Sequence, residues 1–125
     1  MAVRVVDASA LAAVMFDEPE ADAVAGRLRG AMLAAPTLLR YEIVNLCVMQ
    51  SRRHLDRRVR IRQAFSLYSD LTIEFADVDH AAVLTLAEQS GLTGYDASYL
   101  WLAHRLGAEL VTLDRQLARA ATAPR

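Results

Sequence analysis

Short apolar runs alternate along the chain with longer segments in which apolar residues recur at helical spacing. The short runs are rich in apolar and β-branched residues, and they predict buried parallel strands over residues 2–6, 32–35, 71–76 and 109–112. The longer segments predict helices over residues 8–16, 17–29, 37–48, 55–69, 79–91, 93–106 and 115–121. Because the two kinds of element alternate, we expect an α/β fold with right-handed crossovers and helices on both faces of a short central parallel sheet.

Polar residues stand where several of these helices are predicted to begin, and they are candidate caps. Ser9 is available to cap the first helix, and Asp17 before Pro19 marks the start of the second. Thr37 precedes the third helix, and Asp79 opens the fifth. We expect these side chains to accept hydrogen bonds from the first free N–H groups of their helices.

Composition bounds the size and setting of the protein. The 125 residues are 54% apolar with three prolines and five glycines, which is typical of one compact domain over residues 1–125. No run approaches the roughly 18 apolar residues of a membrane helix, and residues 1–6 lack the regions of a signal peptide. We therefore expect a cytoplasmic protein. The single cysteine, Cys47, suits a reducing compartment and a packing role.

The charges are distributed unevenly although the net charge is only −1. All fourteen basic side chains are arginine, which excludes mechanisms that need a lysine ammonium group. Six arginines crowd into residues 52–62, largely on the outer face of the helix predicted over 55–69. Such a segment is suited to contact a nucleic-acid backbone, although a run of charges is more often a solvated helix face. The candidate RNA contacts are Arg52, Arg53, Arg57 and Arg58.

Four carboxylates, Asp7, Glu42, Asp96 and Asp114, stand where the predicted elements would bring them to one edge of the sheet. Two charges about 4 Å apart repel by roughly 4 kcal/mol at an effective dielectric constant near 20, so clustered acids need protons or a cation. Oxygen ligands favour Mg²⁺ or Mn²⁺. The acids therefore predict a metal-dependent phosphodiesterase.

Each acid also has a structural explanation. Asp7 and Asp114 are placed to cap helices, and Asp96 lies three residues after Thr93, as in a capping box. Glu42 differs because it lies in an otherwise apolar helical stretch, where an unpaired buried carboxylate would be heavily destabilising. It needs a partner, unless its helix face is exposed to solvent.

Short polar side chains accompany the acids. Asn45 lies three residues after Glu42 on the same helical face. Ser9 lies beside Asp7. Thr112 and Asp114 alternate onto one side of an extended segment, where the hydroxyl would orient the Asp114 carboxylate. We therefore expect supporting roles for Ser9, Asn45 and Thr112.

Four segments together resemble a known family. Residues 5–11, 40–45, 93–99 and 110–115 look like the four acidic motifs of PIN-domain ribonucleases, in order and in spacing, and the similarity is greatest to VapC toxins of bacterial toxin–antitoxin modules. The resemblance implies a PIN-like three-layer α/β/α fold and a Mg²⁺- or Mn²⁺-dependent endoribonuclease. Its acidic catalytic and metal-binding quartet would be Asp7, Glu42, Asp96 and Asp114.

The same resemblance implies partners. VapC toxins are normally dimeric, cleave RNA, and are silenced by a cognate VapB-type antitoxin whose tail occupies the active-site groove. Positive mean hydropathy supports partner surfaces, because a small domain hides limited apolar area. The candidate residues for a homodimer seam or antitoxin groove are Met15, Phe16, Met32, Met49, Tyr68 and Trp101.

Other function classes fit less well. A phosphoacceptor receiver domain would need a lysine near its phosphorylated aspartate, and this chain has no lysine. A haloacid-dehalogenase-like phosphatase would have an aspartate where Ser9 stands. No glycine-rich loop ends in Gly-Lys, which excludes P-loop nucleotide hydrolysis. The remaining alternative is a non-catalytic PIN-like module that binds RNA or protein without cleaving it.

Overall fold

The computed structural model describes residues 1–124 and contains a four-stranded parallel sheet, which confirms the α/β prediction. The strands are β1 (Val3–Val6), β2 (Met32–Pro36), β3 (Ile73–Ala76) and β4 (Glu109–Val111), in the order β3-β2-β1-β4. The helices are α1 (Ala8–Met15), α2 (Ala21–Leu28), α3 (Leu38–Arg53), α4 (Arg58–Ser69), α5 (His80–Ser90), α6 (Gly94–Leu106) and α7 (Arg115–Thr122). A 3₁₀ turn over Leu55–Arg57 separates α3 from α4.

The register of the central strands brings the ends of β1 and β4 together. Val6 pairs with Val111, and the Asp7 backbone N–H extends the ladder by donating to the Val111 carbonyl at 3.2 Å. Val6 and Val111 are fully buried. Residues that directly follow these two strands are therefore neighbours, as the topology of parallel strands requires.

Two groups of helices enclose the sheet. Helix α1 contacts α2, α3 and α4, whereas α6 contacts α5 and α7 and packs on β1, β2 and β4. Helix α6 is the most deeply buried, with Ala97, Tyr99 and Leu102 each at most 2% exposed. Because its first turn carries Asp96, this packing fixes that carboxylate relative to the sheet.

Several predicted caps and boundaries were wrong. Asp7, and not Ser9, caps α1, because the carboxylate reaches the Ala10 N–H. Helix α2 begins at Ala21 and not at Asp17, whose backbone is left-handed with φ 52°, a conformation that aspartate tolerates better than most residues. Thr37 precedes α3 without a side-chain cap bond, because its own backbone is already helical.

The segment 55–69 is not one helix. The 3₁₀ turn occupies its start, and α4 begins only at Arg58, while α3 continues to Arg53, beyond the apolar stretch that ends at Val48. Other predicted boundaries are confirmed: Asp79 caps α5 and Gly91 ends it in the left-handed conformation, with φ 75°. No helix within residues 1–124 is long and apolar enough to cross a membrane.

Candidate active site

Asp7 is the centre of a buried hydrogen-bond network at the carboxyl end of β1. It is 5% exposed, and both of its oxygens are bonded. Oδ1 accepts from the Ser9 hydroxyl at 2.7 Å and from the Ala10 N–H at 3.0 Å, whereas Oδ2 accepts from the Thr112 hydroxyl at 2.5 Å. The carboxylate is therefore held in one orientation by two groups from α1 and by the residue that follows β4.

The two supporting hydroxyls join the loops that carry the acids. Ser9 Oγ also accepts from the Leu113 N–H at 2.9 Å, and Thr112 Oγ1 accepts from the Asp114 N–H at 3.0 Å. Thr112 therefore orients the Asp7 carboxylate and the Asp114 backbone. This corrects the expectation that its hydroxyl orients the Asp114 carboxylate, because the pairing of β1 with β4 places Asp7 nearer.

Glu42 finds its partner in Tyr99. The Tyr99 hydroxyl donates to Glu42 Oε1 at 2.5 Å, and the Tyr99 side chain is 1% exposed whereas Glu42 is partly buried. The sequence interpretation gave Tyr99 no role. Its position three residues after Asp96, on the same face of a buried helix, was the available signal.

Asp96 and Asp114 lie at the starts of helices. Asp96 is in the first turn of α6, where its backbone N–H donates to Thr93 Oγ1 at 3.0 Å. The Asp114 carboxylate caps α7 by accepting from the Leu117 N–H at 2.9 Å, and the residue is exposed. One Asp114 oxygen makes the cap bond, so the cap leaves the other oxygen for a ligand.

The charges of these acids act on one another. Burial raises the pKa of Asp7 against the lowering effect of its hydrogen bonds, and the charge of Asp114 raises it further. Burial also raises the pKa of Glu42, with the charges of Asp7 and Asp96 adding to it. The pKa of Asp96 is raised by burial and then by Asp114 and Asp7. All four predicted carboxylates therefore lie within electrostatic range of one another.

Asn45 is exposed, and its amide donates to Met49 Sδ at 3.6 Å rather than to Glu42. Asn45 and Glu42 nevertheless line the same open groove of about 690 Å³, together with Ser9, Leu113 and Arg115. We call this feature the acidic groove, because Glu18 and Glu20 also line it. Its volume is within the range of about 300–1,000 Å³ of small-molecule sites.

The donor set fits a hard divalent cation. Among residues 1–124, no three acidic, histidine or cysteine side chains are close enough to form a complete metal site by themselves. Mg²⁺ keeps several waters and is usually bound by only one or two carboxylates, so a looser set of oxygen donors suits it. The negative charges of these acids raise one another's pKa values, and a bound cation would offset that repulsion.

The candidate RNA-contacting arginines lie outside the acidic groove. Arg52 and Arg53 are in the last turn of α3, Arg57 ends the 3₁₀ turn, and Arg58 begins α4, all exposed. Ten residues along α3 separate Arg52 from Glu42, which is about 15 Å of helix axis. Arg52 and Arg58 instead line a second groove, between α3 and α4, of about 410 Å³.

Comparisons with known proteins agree with the fold. The model of the PIN domain family matches residues 4–123. The chain is 35% identical over 120 residues to Ribonuclease VapC3 of Pyrobaculum aerophilum, covering 91% of each protein. The crystal structure of PAE2754 from the same organism has a TM-score of 0.77 at 30% identity and covers 97% of this chain and 86% of that one.

A more distant structure shares the fold. The toxin VapC20 of Mycobacterium tuberculosis, described as cleaving the sarcin-ricin loop, has a TM-score of 0.65 at 12% identity, covering 97% of this chain and 99% of its own. The resemblance inferred from the four acidic motifs is thereby confirmed, together with the α/β/α architecture. The chain belongs to the PIN domain family.

Proposed function

We propose that this protein is a VapC-type endoribonuclease, the toxin component of a toxin–antitoxin module, which cleaves RNA with Mg²⁺ or Mn²⁺ held by Asp7, Glu42, Asp96 and Asp114. The observation that carries the proposal is the mutual electrostatic influence of these acids, which come from four separate segments, beside an open groove. The similarity to Ribonuclease VapC3 over nearly the whole chain supports the same activity.

The protein's own side chains have distinct tasks in this mechanism. Asp7 is fixed by Ser9 and Thr112, so its carboxylate offers a metal ligand whose orientation is already set. A bound divalent ion would lower the pKa of water, polarise the scissile phosphate and neutralise charge on the leaving oxygen. Glu42 Oε1 accepts the hydrogen bond from Tyr99, which leaves Oε2 to bind a second ion or to orient the attacking water.

A single-stranded or looped RNA is the proposed substrate, because the groove must reach an accessible phosphate. By likeness to the family, the products would carry 5′-phosphate and 3′-hydroxyl ends. By the same likeness, we propose that the protein acts in the cytoplasm.

The proposed protein partners are a VapB-type antitoxin, whose tail would occupy the acidic groove, and a second copy of the chain. Of the side chains expected at partner surfaces, Met32 is 47% and Met49 48% exposed, whereas Met15, Tyr68 and Trp101 pack against the core. Light scattering at micromolar concentration should report a dimer. A stable monomer would contradict the homodimer.

The alternative is a PIN-like module that binds RNA or protein without cleavage. Incubation of purified protein, freed of any inhibitor, with total RNA in the presence and absence of Mg²⁺ or Mn²⁺ separates the two, with new 5′ ends mapped by sequencing. We expect metal-dependent cleavage that Asp96→Asn reduces by about a hundredfold. Asp79→Asn is the matched control, because Asp79 caps α5 and asparagine also caps well. Binding without new ends would favour the alternative.

A further inference from the structure

In the part of the chain that the structure describes, the acidic groove is lined by one positively charged side chain, Arg115, which has no part in the proposed metal site. Arg115 lines the groove together with Glu42 and Ser9, directly after Asp114 in the chain. Its place is fixed because it is the first residue of α7, whose start is held by the bond from the Leu117 N–H to Asp114. The backbone that carries the Arg115 side chain is therefore fixed in position next to Asp114.

Arg115 is not engaged by the carboxylates around it. It is exposed, and within residues 1–124 the structure records no ion pair or hydrogen bond of its side chain. Arg4 and Arg27 provide the contrast, because both pair with the single carboxylate of Glu109. The Arg115 charge remains available to a ligand that enters the groove.

The electrostatic setting favours a phosphate as that ligand. Glu18, Glu20 and Glu42 line the same groove, so an RNA backbone that approaches it is repelled unless a cation compensates. Arg115 supplies that positive charge in the described lining of the groove. A guanidinium group also binds a phosphodiester through two parallel N–H···O bonds, which fixes orientation as well as charge.

We propose that Arg115 is the phosphate-binding residue of the acidic groove and holds a phosphodiester of the RNA strand next to the carboxylates. The proposal rests on the proposed function and adds a substrate-binding residue to it. In this arrangement Arg115 sets the register of the strand, so that a neighbouring phosphate lies at the acidic quartet.

The test compares Arg115→Ala with Arg119→Ala in the Asp96→Asn background, in which cleavage during the measurement is expected to be about a hundredfold slower. Arg119 is the matched control, since it is exposed on the same helix and does not line the groove. Affinity for a short labelled single-stranded RNA is measured by fluorescence anisotropy over a range of salt concentrations. We expect Arg115→Ala to weaken binding by about tenfold and to reduce the salt slope by about 0.7, with Arg119→Ala unchanged.

Arg115→Lys separates charge from geometry. Lysine retains the charge but not the two-pronged contact, so it should restore most of the salt slope and only part of the affinity. Equal affinities and slopes for Arg115→Ala and the parent would overturn the proposal, and so would equal losses in the Arg115 and Arg119 variants. Thermal unfolding confirms that each variant is folded.

The failure of this proposal is distinguishable from that of the proposed function. If wild-type protein cleaves RNA and Arg115→Ala does so with the same KM and kcat, only the role of Arg115 is wrong. If wild-type protein neither binds nor cleaves RNA with Mg²⁺ or Mn²⁺ present, the proposed function is wrong, and the role of Arg115 is wrong with it.

Discussion

The Tyr99 hydroxyl donates to Glu42 Oε1 across 57 positions of sequence, joining α6 to α3. Burial and the hydrogen bond to Glu42 raise the pKa of Tyr99, so its proton stays on the phenol and is always available for donation. The residue that orients Glu42 thus comes from the helix that carries Asp96. One buried helix thus carries Asp96 and also supplies the side chain that positions Glu42.

Replacing Tyr99 with phenylalanine should remove this orientation with little change in packing. We expect a cost of about 1–3 kcal/mol in the free energy of unfolding, as for a hydrogen bond to a charged group, and a reduction of kcat larger than any change in KM. Urea unfolding and steady-state cleavage kinetics measure the two effects. Tyr41→Phe is the control, because Tyr41 is 73% exposed. An unchanged kcat for Tyr99→Phe would show that Glu42 needs no positioning.

The raised pKa values of Asp7, Glu42 and Asp96 predict how stability depends on pH in metal-free protein. Each carboxyl group binds its proton more tightly in the folded chain than at its ordinary pKa of 3.8 or 4.5. Their stabilising contribution is therefore fully present below those values and is lost as the pH rises through the raised pKa values. Urea unfolding in the presence of a chelator should show a falling contribution from these groups toward neutral pH.

Two variants test the assignment of that slope. Asp7→Asn removes one titrating group, so its stability should decline less with rising pH than that of the wild type. In Glu109→Gln, stability should decline more with rising pH than in the wild type, because the hydrogen bond from Arg27 lowers the pKa of Glu109. Glu109 stabilises the fold above its ordinary pKa and loses that contribution as the pH falls. Parallel curves for wild type and Asp7→Asn would contradict the role given to Asp7.

Adding Mn²⁺ should stabilise the folded protein independently of activity. Binding to the folded state alone stabilises it by about 2.7 kcal/mol at an ion concentration 100 times the Kd, which raises Tm by several degrees in a domain of this size. We expect the shift to be strongly reduced in Asp96→Asn and retained in Asp79→Asn. Differential scanning fluorimetry measures it. Equal shifts in both variants would indicate a metal site elsewhere.

Asp114 combines a cap with a proposed ligand, and two substitutions separate these roles. Asparagine caps helices about as well as aspartate, so Asp114→Asn should keep the stability of the fold while losing about a hundredfold in cleavage. Asp114→Ala should lose the same activity and, in addition, about 1 kcal/mol of stability. Full activity in Asp114→Asn would leave capping as its whole role.

The arginine-rich segment has a test of its own. Arg57→Ala with Arg58→Ala should leave kcat unchanged, because neither residue lines the acidic groove. If the segment follows the RNA backbone, affinity falls and the salt slope decreases by about 0.7 for each arginine. Unchanged affinity and slope would identify the segment as a solvated helix face.

Local patterns determined most of the elements, and their failures have local causes. The strands, α5 with Gly91 as its stop, and the cap at Asp114 follow from apolar runs and turn residues that act over a few positions. The predicted start of α2 was wrong because Asp17 adopts a left-handed backbone conformation, which its residue type alone does not predict. The 3₁₀ turn before Arg58 was missed because its residues, Leu55, Asp56 and Arg57, are all compatible with an exposed helix.

The sequence by itself predicted the four acids and their motifs, because clustered carboxylates need protons or a cation and the four segments keep the family's order. Only the tertiary structure decided which groups hold them. The Thr112 hydroxyl donates to Asp7, the Tyr99 hydroxyl donates to Glu42, and Arg115 lines the acidic groove. These contacts depend on strand register and helix packing between segments far apart in the chain, and residue spacing within one segment does not identify the partner on the other.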